Sequence, residues 1–226
     1  MVKTNEISVL QRISWLFNVI FHQIVAVLTV FILWIVFKHY ELNENFTWHI
    51  ILCTIAYVPL MAEAVILFWG DNLWSQNIDR TKKYWIHGTV LLLSAVSVTV
   101  GISLLIQAEP PGAKHFSTNH GLTGLISWIL VLLSVILGFI SANAQKLKFI
   151  MRPVFFKFIH NLLGIAGYVI GAVSLGYGIN YGILGQFSSK DAERAAIWCL
   201  GIAVFWSLIA ALKSCYNQIK DIFSSS

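Results

Sequence analysis

Charge is scarce in this sequence. Asp, Glu, Lys and Arg together make up 11% of its 226 residues, too little polar surface to cover a water-soluble globule of that length. Cysteine is scarce too. Cys53, Cys199 and Cys215 are the only three, all in or beside apolar stretches, so no disulfide framework is implied. No GxGxxG follows a strand pattern and no Walker motif occurs, which leaves no dinucleotide or P-loop fold. Of the four prolines, Pro59 alone falls deep inside an apolar run, where neighbouring helices can satisfy the freed backbone. Pro110 and Pro111 with Gly112 mark a turn.

Apolar residues fill the space that charge vacates, at 58% of the chain with a mean hydropathy of +0.76. A helix of about 20 apolar residues crosses the hydrocarbon core of a bilayer. Six such runs are present, at about 13–37, 48–69, 85–106, 120–144, 155–181 and 195–215. The expected fold is therefore all-α and integral to the membrane, one domain over 1–226 with six transmembrane helices. The first run is too long for a signal-peptide core and is read as a retained helix. Trp34, Trp48, Trp69, Trp85 and Trp198 fall near run ends, as an interfacial belt would place them. The connections are too short to house a soluble catalytic domain, so any chemistry belongs to the spans and their mouths.

The formal charge of +5 sits in those short connections and reports topology rather than a nucleic-acid partner. With the N-terminus in the cytoplasm, the inner segments carry Lys3, Arg12, Arg80, Lys82, Lys83, Lys146, Lys148, Arg152, Lys157, Lys213 and Lys220. The outer loops carry Lys38, Lys114, Lys190 and Arg194. Eleven against four sets both termini in the cytoplasm.

His49, His87, His120 and His160 each stand at or near the start of one of four consecutive runs. Successive spans alternate direction, so His49 comes level with His120 near one surface and His87 with His160 near the other. Seven residues after each histidine lie Ala56, Ser94, Ser127 and Gly167; fourteen after lie Glu63, Gly101, Ser134 and Ser174. All eight are small or polar within segments rich in Ile, Leu, Val and Phe. Fourteen residues rise about 21 Å, so each helix offers a histidine at one depth and clearance or a polar contact at the other. Small residues also serve helix packing, but four helices sharing one pattern point to ligands.

Two histidine pairs across one bundle suit two bis-histidine haems. No CxxCH occurs, so any haem would be held without a covalent thioether link. Two imidazoles on one iron leave no open position, which favours electron transfer over substrate binding at the metal. Two rivals remain: a histidine-lined metal or proton transporter, and a haem-bearing membrane anchor for a partner redox protein. His22 in the first run and His39 at its outer end lack a partner at matching depth and are read as structural.

The stretches FTWHIILCTIAYVPLMAEAVILF around His49, KHFSTNHGLTGLI around His120 and FKFIHNLLGIAGYVIGAVSLGYG around His160 resemble the cytochrome b561 family. RTKKYWIHGTVLLL around His87 is a looser match. The resemblance implies a central bundle of spans two to five enclosing two b haems, ligated by His49 with His120 and by His87 with His160. It implies a transmembrane reductase taking electrons from cytoplasmic ascorbate to ferric iron or monodehydroascorbate on the other side. The implied location is endoplasmic reticulum or vesicle membrane, with lipid around the chain and a homodimer left open.

By the same resemblance Arg80, Lys82 and Lys83, with Arg152 and Lys157, are candidates to hold ascorbate; these cations also set topology. The likeness breaks at Trp85, where family members carry lysine. His115, five residues before His120, corresponds to a histidine near the outer acceptor site, or is a solvated loop residue. Glu63 is the one acidic residue deep in a run. Its stripe position directs it towards the cytoplasmic-side haem, to hydrogen-bond there or move protons, unless it is simply a protonated acid satisfied by a neighbouring helix.

Overall fold

A computed structural model of the chain describes residues 8–183 and 185–224. Lys3, counted among the inner charges, lies outside them, as do Ser225 and Ser226. The described residues form six long helices and no strand: α1 (Val9–His39), α2 (Asn45–Ile66), α3 (Arg80–Ala108), α4 (Asn119–Ala142), α5 (Pro153–Tyr181) and α6 (Lys190–Phe223). Each is long and apolar enough to cross a membrane. The chain is a multi-pass membrane protein.

Most helices overrun their apolar stretches because capping groups carry them into the polar interface. Ser8, Thr118 and Ser189 accept hydrogen bonds from the backbone N–H of Gln11, Gly121 and Ala192, filling orphan donors at the starts of α1, α4 and α6. Pro153 opens α5, where a missing N–H costs nothing. Asp191 and Glu193 lie in the first turn of α6, favourably placed against the helix dipole. The second span was expected to run to Trp69. It ends at Ile66, and the chain then folds through turns that bury Asn72 and Ser75. The expected turn after α3 is present, with Ala113 N–H donating to the Pro110 carbonyl at 3.0 Å and Gly112 at a φ of 86°.

α2 carries one irregularity that matters below. Ala56–Met61 is π-helical, with Pro59 inside it. Proline offers no N–H to the preceding turn and its ring crowds the carbonyl four residues back. One extra residue in the turn relieves both.

α4 and α5 pack most closely, α2 and α3 next, and together they make a four-helix centre. α6 packs against α5 and the last turn of α2, and α1 lies on α2 and α6. The burial pattern is that of a membrane protein. Ser94, Ser127, Ser134 and Ser174 are buried, while Val30, Trp34, Phe139 and Phe205 face outwards. Lipid favours that arrangement, because it offers polar groups no partners and the bundle interior does.

Candidate functional site

α2 and α3 run antiparallel, as do α4 and α5, so the starts of α2 and α4 share one end of the bundle and the starts of α3 and α5 the other. At the first end the rings of His49 and His120 stand with centroids 6.0 Å apart and planes at 87°. At the other end His87 and His160 stand 6.2 Å apart at 84°. Four side chains from four helices thus form two pairs, one at each end.

Each ring is held by a backbone carbonyl of the adjacent helix. His49 Nδ1 lies 3.1 Å from Gly101 O, His87 Nδ1 2.9 Å from Ala64 O, His120 Nδ1 2.8 Å from Ser174 O and His160 Nδ1 2.9 Å from Ser134 O. A carbonyl only accepts, so Nδ1 carries the hydrogen in all four rings and the Nε2 lone pair is left bare. That is the tautomer of a metal-binding histidine whose second nitrogen fixes its orientation. α4 and α5 add a reciprocal clamp. Ser174 Oγ donates to His120 O at 2.8 Å and Ser134 Oγ to His160 O at 3.3 Å.

Room beside the rings is also built in. A Cβ on Gly138 would sit 3.2 Å from the His160 ring, and one on Gly178 would sit 3.2 Å from the His120 ring. Both would press an imidazole out of line. Between the two ends, Tyr57 Oη donates to Ser127 Oγ at 2.6 Å, and Ser127 Oγ donates to Gly167 O at 2.6 Å.

The fourteen-residue stripe supplies three of the four carbonyls: Gly101, Ser134 and Ser174. The fourth corrects the sequence reading. His87 binds Ala64 instead of Glu63, because the π turn inserts one residue and rotates the rest of α2. Glu63 is thereby turned away from the four histidines and towards α1. Its Oε1 lies 2.6 Å from His22 Nδ1, and its Oε2 accepts from Trp74 Nε1 at 3.1 Å. His22, read from sequence as partnerless, has a partner in Glu63. His39 stacks on Phe187 with centroids 4.1 Å apart.

The cations expected to meet a substrate lie at the His87 and His160 end, where α3 and α5 begin. Arg80 Nε donates to Tyr84 Oη at 2.8 Å and its guanidinium lies over that ring. Lys82 reaches Asp79 at 3.5 Å, and Lys83 is half-buried. Arg152 donates to the carbonyls of Asp221 and Ile222 at 3.0 and 3.4 Å, tying the end of α6 to the start of α5. Lys157 is exposed, one turn before His160. His115 is exposed in the loop before α4, at the His120 end, with its ring 6.3 Å from that of Phe116. Among the described residues no three His, Cys, Asp or Glu side chains come together as a metal cluster.

The described residues thus form six spans with a histidine pair at each end of the central bundle. The sequence profile described as eukaryotic cytochrome b561 matches residues 48–185, from α2 through α5, and the chain belongs to that family. Proteins named transmembrane reductase CYB561D2 are similar to it: that of Mus musculus is 27% identical over 184 residues and that of Homo sapiens 26% over 186. Each alignment covers 80% of this chain and 78% of the relative. No solved structure matches the chain.

Family membership implies haem b, and the paired histidines fit it. Two imidazoles bound to one metal through nitrogens about 2.0–2.1 Å away place their ring centres roughly 6 Å apart, the separation seen at both ends. The bare Nε2 atoms and the glycine clearances agree with that fit.

Proposed function

We propose that this chain is a transmembrane reductase with two haem b sites in series. His49 and His120 would hold one haem and His87 and His160 the other. A single observation carries this: two imidazole pairs at ligand spacing, one at each end of a spanning bundle. Haem b, when bound, supplies a one-electron couple. A histidine pair on each iron would leave no position open for substrate, so the chemistry supplied would be electron transfer alone.

The rest of the chain sets the conditions for that transfer. The carbonyls of Gly101, Ala64, Ser174 and Ser134 fix the rings and raise their basicity as ligands. The positive-inside bias supports a cytoplasmic side for both termini and the His87–His160 end, and the opposite side for the His49–His120 end. Ascorbate is the donor this reading assigns to the cytoplasmic end. Arg80, Lys82, Lys83 and Lys157, with Arg152 behind them, supply the positive field for an anion. The acceptor is ferric iron or monodehydroascorbate beyond the His49–His120 end, in a reticulum or vesicle membrane, with His115 at its mouth. The name of the relatives, transmembrane reductase, supports the reaction class.

Vesicles reconstituted with the chain test the reading. With ascorbate trapped inside and a ferric chelate outside, ferrous product is expected outside only where the protein is present and carries haem. Haem-loaded protein that ascorbate does not reduce would leave a membrane anchor for a partner redox protein. Protein that binds no haem would overturn both.

A further inference from the structure

The polar cluster between α1, the end of α2 and the turns after it is not used by either haem site. His22 is its centre. Nε2 of His22 lies 3.2 Å from Asn18 Oδ1 and 3.3 Å from Asn72 Oδ1. Neither amide is free to flip. Asn18 Oδ1 already accepts from Leu73 N–H at 3.0 Å, and Asn72 Nδ2 donates to Ile66 O at 3.3 Å. Both oxygens therefore face the ring as acceptors, and Nε2 must carry a hydrogen.

On the other side of the ring Nδ1 meets Glu63 Oε1 at 2.6 Å, while Glu63 Oε2 is occupied by Trp74 Nε1–H. Two bare lone pairs would repel at that distance. A proton must lie between Nδ1 and Oε1, whichever atom it is assigned to. The contact is thus a site for one proton, neutral when filled and negative by one when empty. His22 and Glu63 are about a quarter exposed, and Glu63 stands in the last turn of α2, beside the turns that follow it.

The cluster's place in the fold gives that proton a use. Glu63 adjoins Ala64, whose carbonyl holds His87. An electron arriving at the His87–His160 end adds a negative charge near the pair, and a low-dielectric interior screens it poorly. We propose that the His22–Glu63 pair is a proton-binding site that fills when the His87–His160 site is reduced and empties when it is oxidised. The inference rests on the reading of that end as a haem site.

The charges balance. An ascorbate monoanion that becomes monodehydroascorbate releases one electron and one proton; the electron enters the site and one proton from the cytoplasmic side enters the Nδ1–Oε1 contact. The other titratable groups around the pair are few. Asp71 accepts from Ser14 Oγ at 2.7 Å. The Tyr168 hydroxyl on α5 shares a hydrogen bond with Ser207 on α6. His87 on α3 is bound to Ala64 O.

The test is the pH dependence of the two haem midpoint potentials in the full-length, haem-loaded protein, from about pH 5 to pH 9. Where the reduced form binds one more proton than the oxidised form, reduction weakens tenfold per pH unit, so the potential falls by about 59 mV per unit. One haem is expected to show this fall and the other to be nearly flat. Glu63→Gln and His22→Gln are each expected to flatten the sloping haem and leave the other unchanged. Glu63→Asp, which keeps the charge but draws it back from Nδ1, is expected to move the pH interval of the slope. Two flat potentials in the unaltered protein would overturn the proposal, and so would a wild-type slope surviving in Glu63→Gln or Glu63→Asp unmoved. Absence of haem from the unaltered protein would instead overturn the reading of the ends as haem sites.

Discussion

The α4–α5 pair and the α2–α3 pair hold their histidines with different backbones. α4 and α5 are regular throughout the contact, and their clamp is reciprocal: His120 to Ser174 O and Ser174 Oγ back to His120 O, with His160 and Ser134 related in the same way. Between α2 and α3 only half of that regularity survives. His49 meets Gly101 and Ser94 Oγ meets Ala56 O in one register, and beyond the π turn His87 meets Ala64, one residue out of step. A regular pair can hold two rings and nothing more. The slipped pair holds two rings and also releases Glu63, a side chain it would otherwise bring level with His87, to meet His22.

The largest effects are expected where the α4–α5 pair crowds a ring. Gly138→Leu and Gly178→Leu fill the clearance beside His160 and His120 and should each halve the haem content, as measured by pyridine haemochrome. They should remove different haems, the one assigned to His87 and His160 in the first case and the one assigned to His49 and His120 in the second. Equal spectra from the two variants would show that the ends are not independent.

Next in size are the cations. A charge-assisted hydrogen bond contributes about 1.5–3 kcal/mol, so Arg80→Gln with Lys83→Gln is expected to raise the ascorbate KM roughly tenfold or more with little change in kcat. Arg152→Gln should behave otherwise. Its guanidinium is tied to the carbonyls of α6, so thermal stability in detergent should fall more than ascorbate affinity. Equal KM changes in both would place Arg152 in the binding site with Arg80.

Smallest are the serines. A hydrogen bond between membrane helices averages about 0.6 kcal/mol. Ser134→Ala and Ser174→Ala are each expected to lower stability by about that much, and by equal amounts because the clamp is reciprocal. Ser94→Ala, on the slipped pair, should cost no more. A loss several times larger in one serine variant would make the clamp one-sided.

The sequence made the regular pair legible and the slipped pair legible only in part. Apolar run length located all six helices, since the bilayer demands length and little else. The fourteen-residue spacing found Gly101, Ser134 and Ser174, because a uniform helix brings those positions level with a histidine on its neighbour. It misplaced Glu63. Pro59 was visible as an interruption, but whether a proline bends a helix or adds a residue to its turn depends on the packing around it. The partner of His22 was hidden for a related reason, because the side of α2 that faces α1 is settled only after that turn. The tie of Arg152 to α6 joins residues that no periodicity relates, whereas Arg80 and Tyr84 are neighbours one turn apart on α3.

The pairing of the four histidines is tested most directly by haem content and reduced spectrum in His49→Ala, His120→Ala, His87→Ala and His160→Ala, each beside the unaltered chain. Two b haems per unaltered chain are expected, with His49→Ala and His120→Ala lacking one and the same haem and His87→Ala and His160→Ala lacking the other. A chain without haem, or His49→Ala and His87→Ala that lose the same haem, would contradict it.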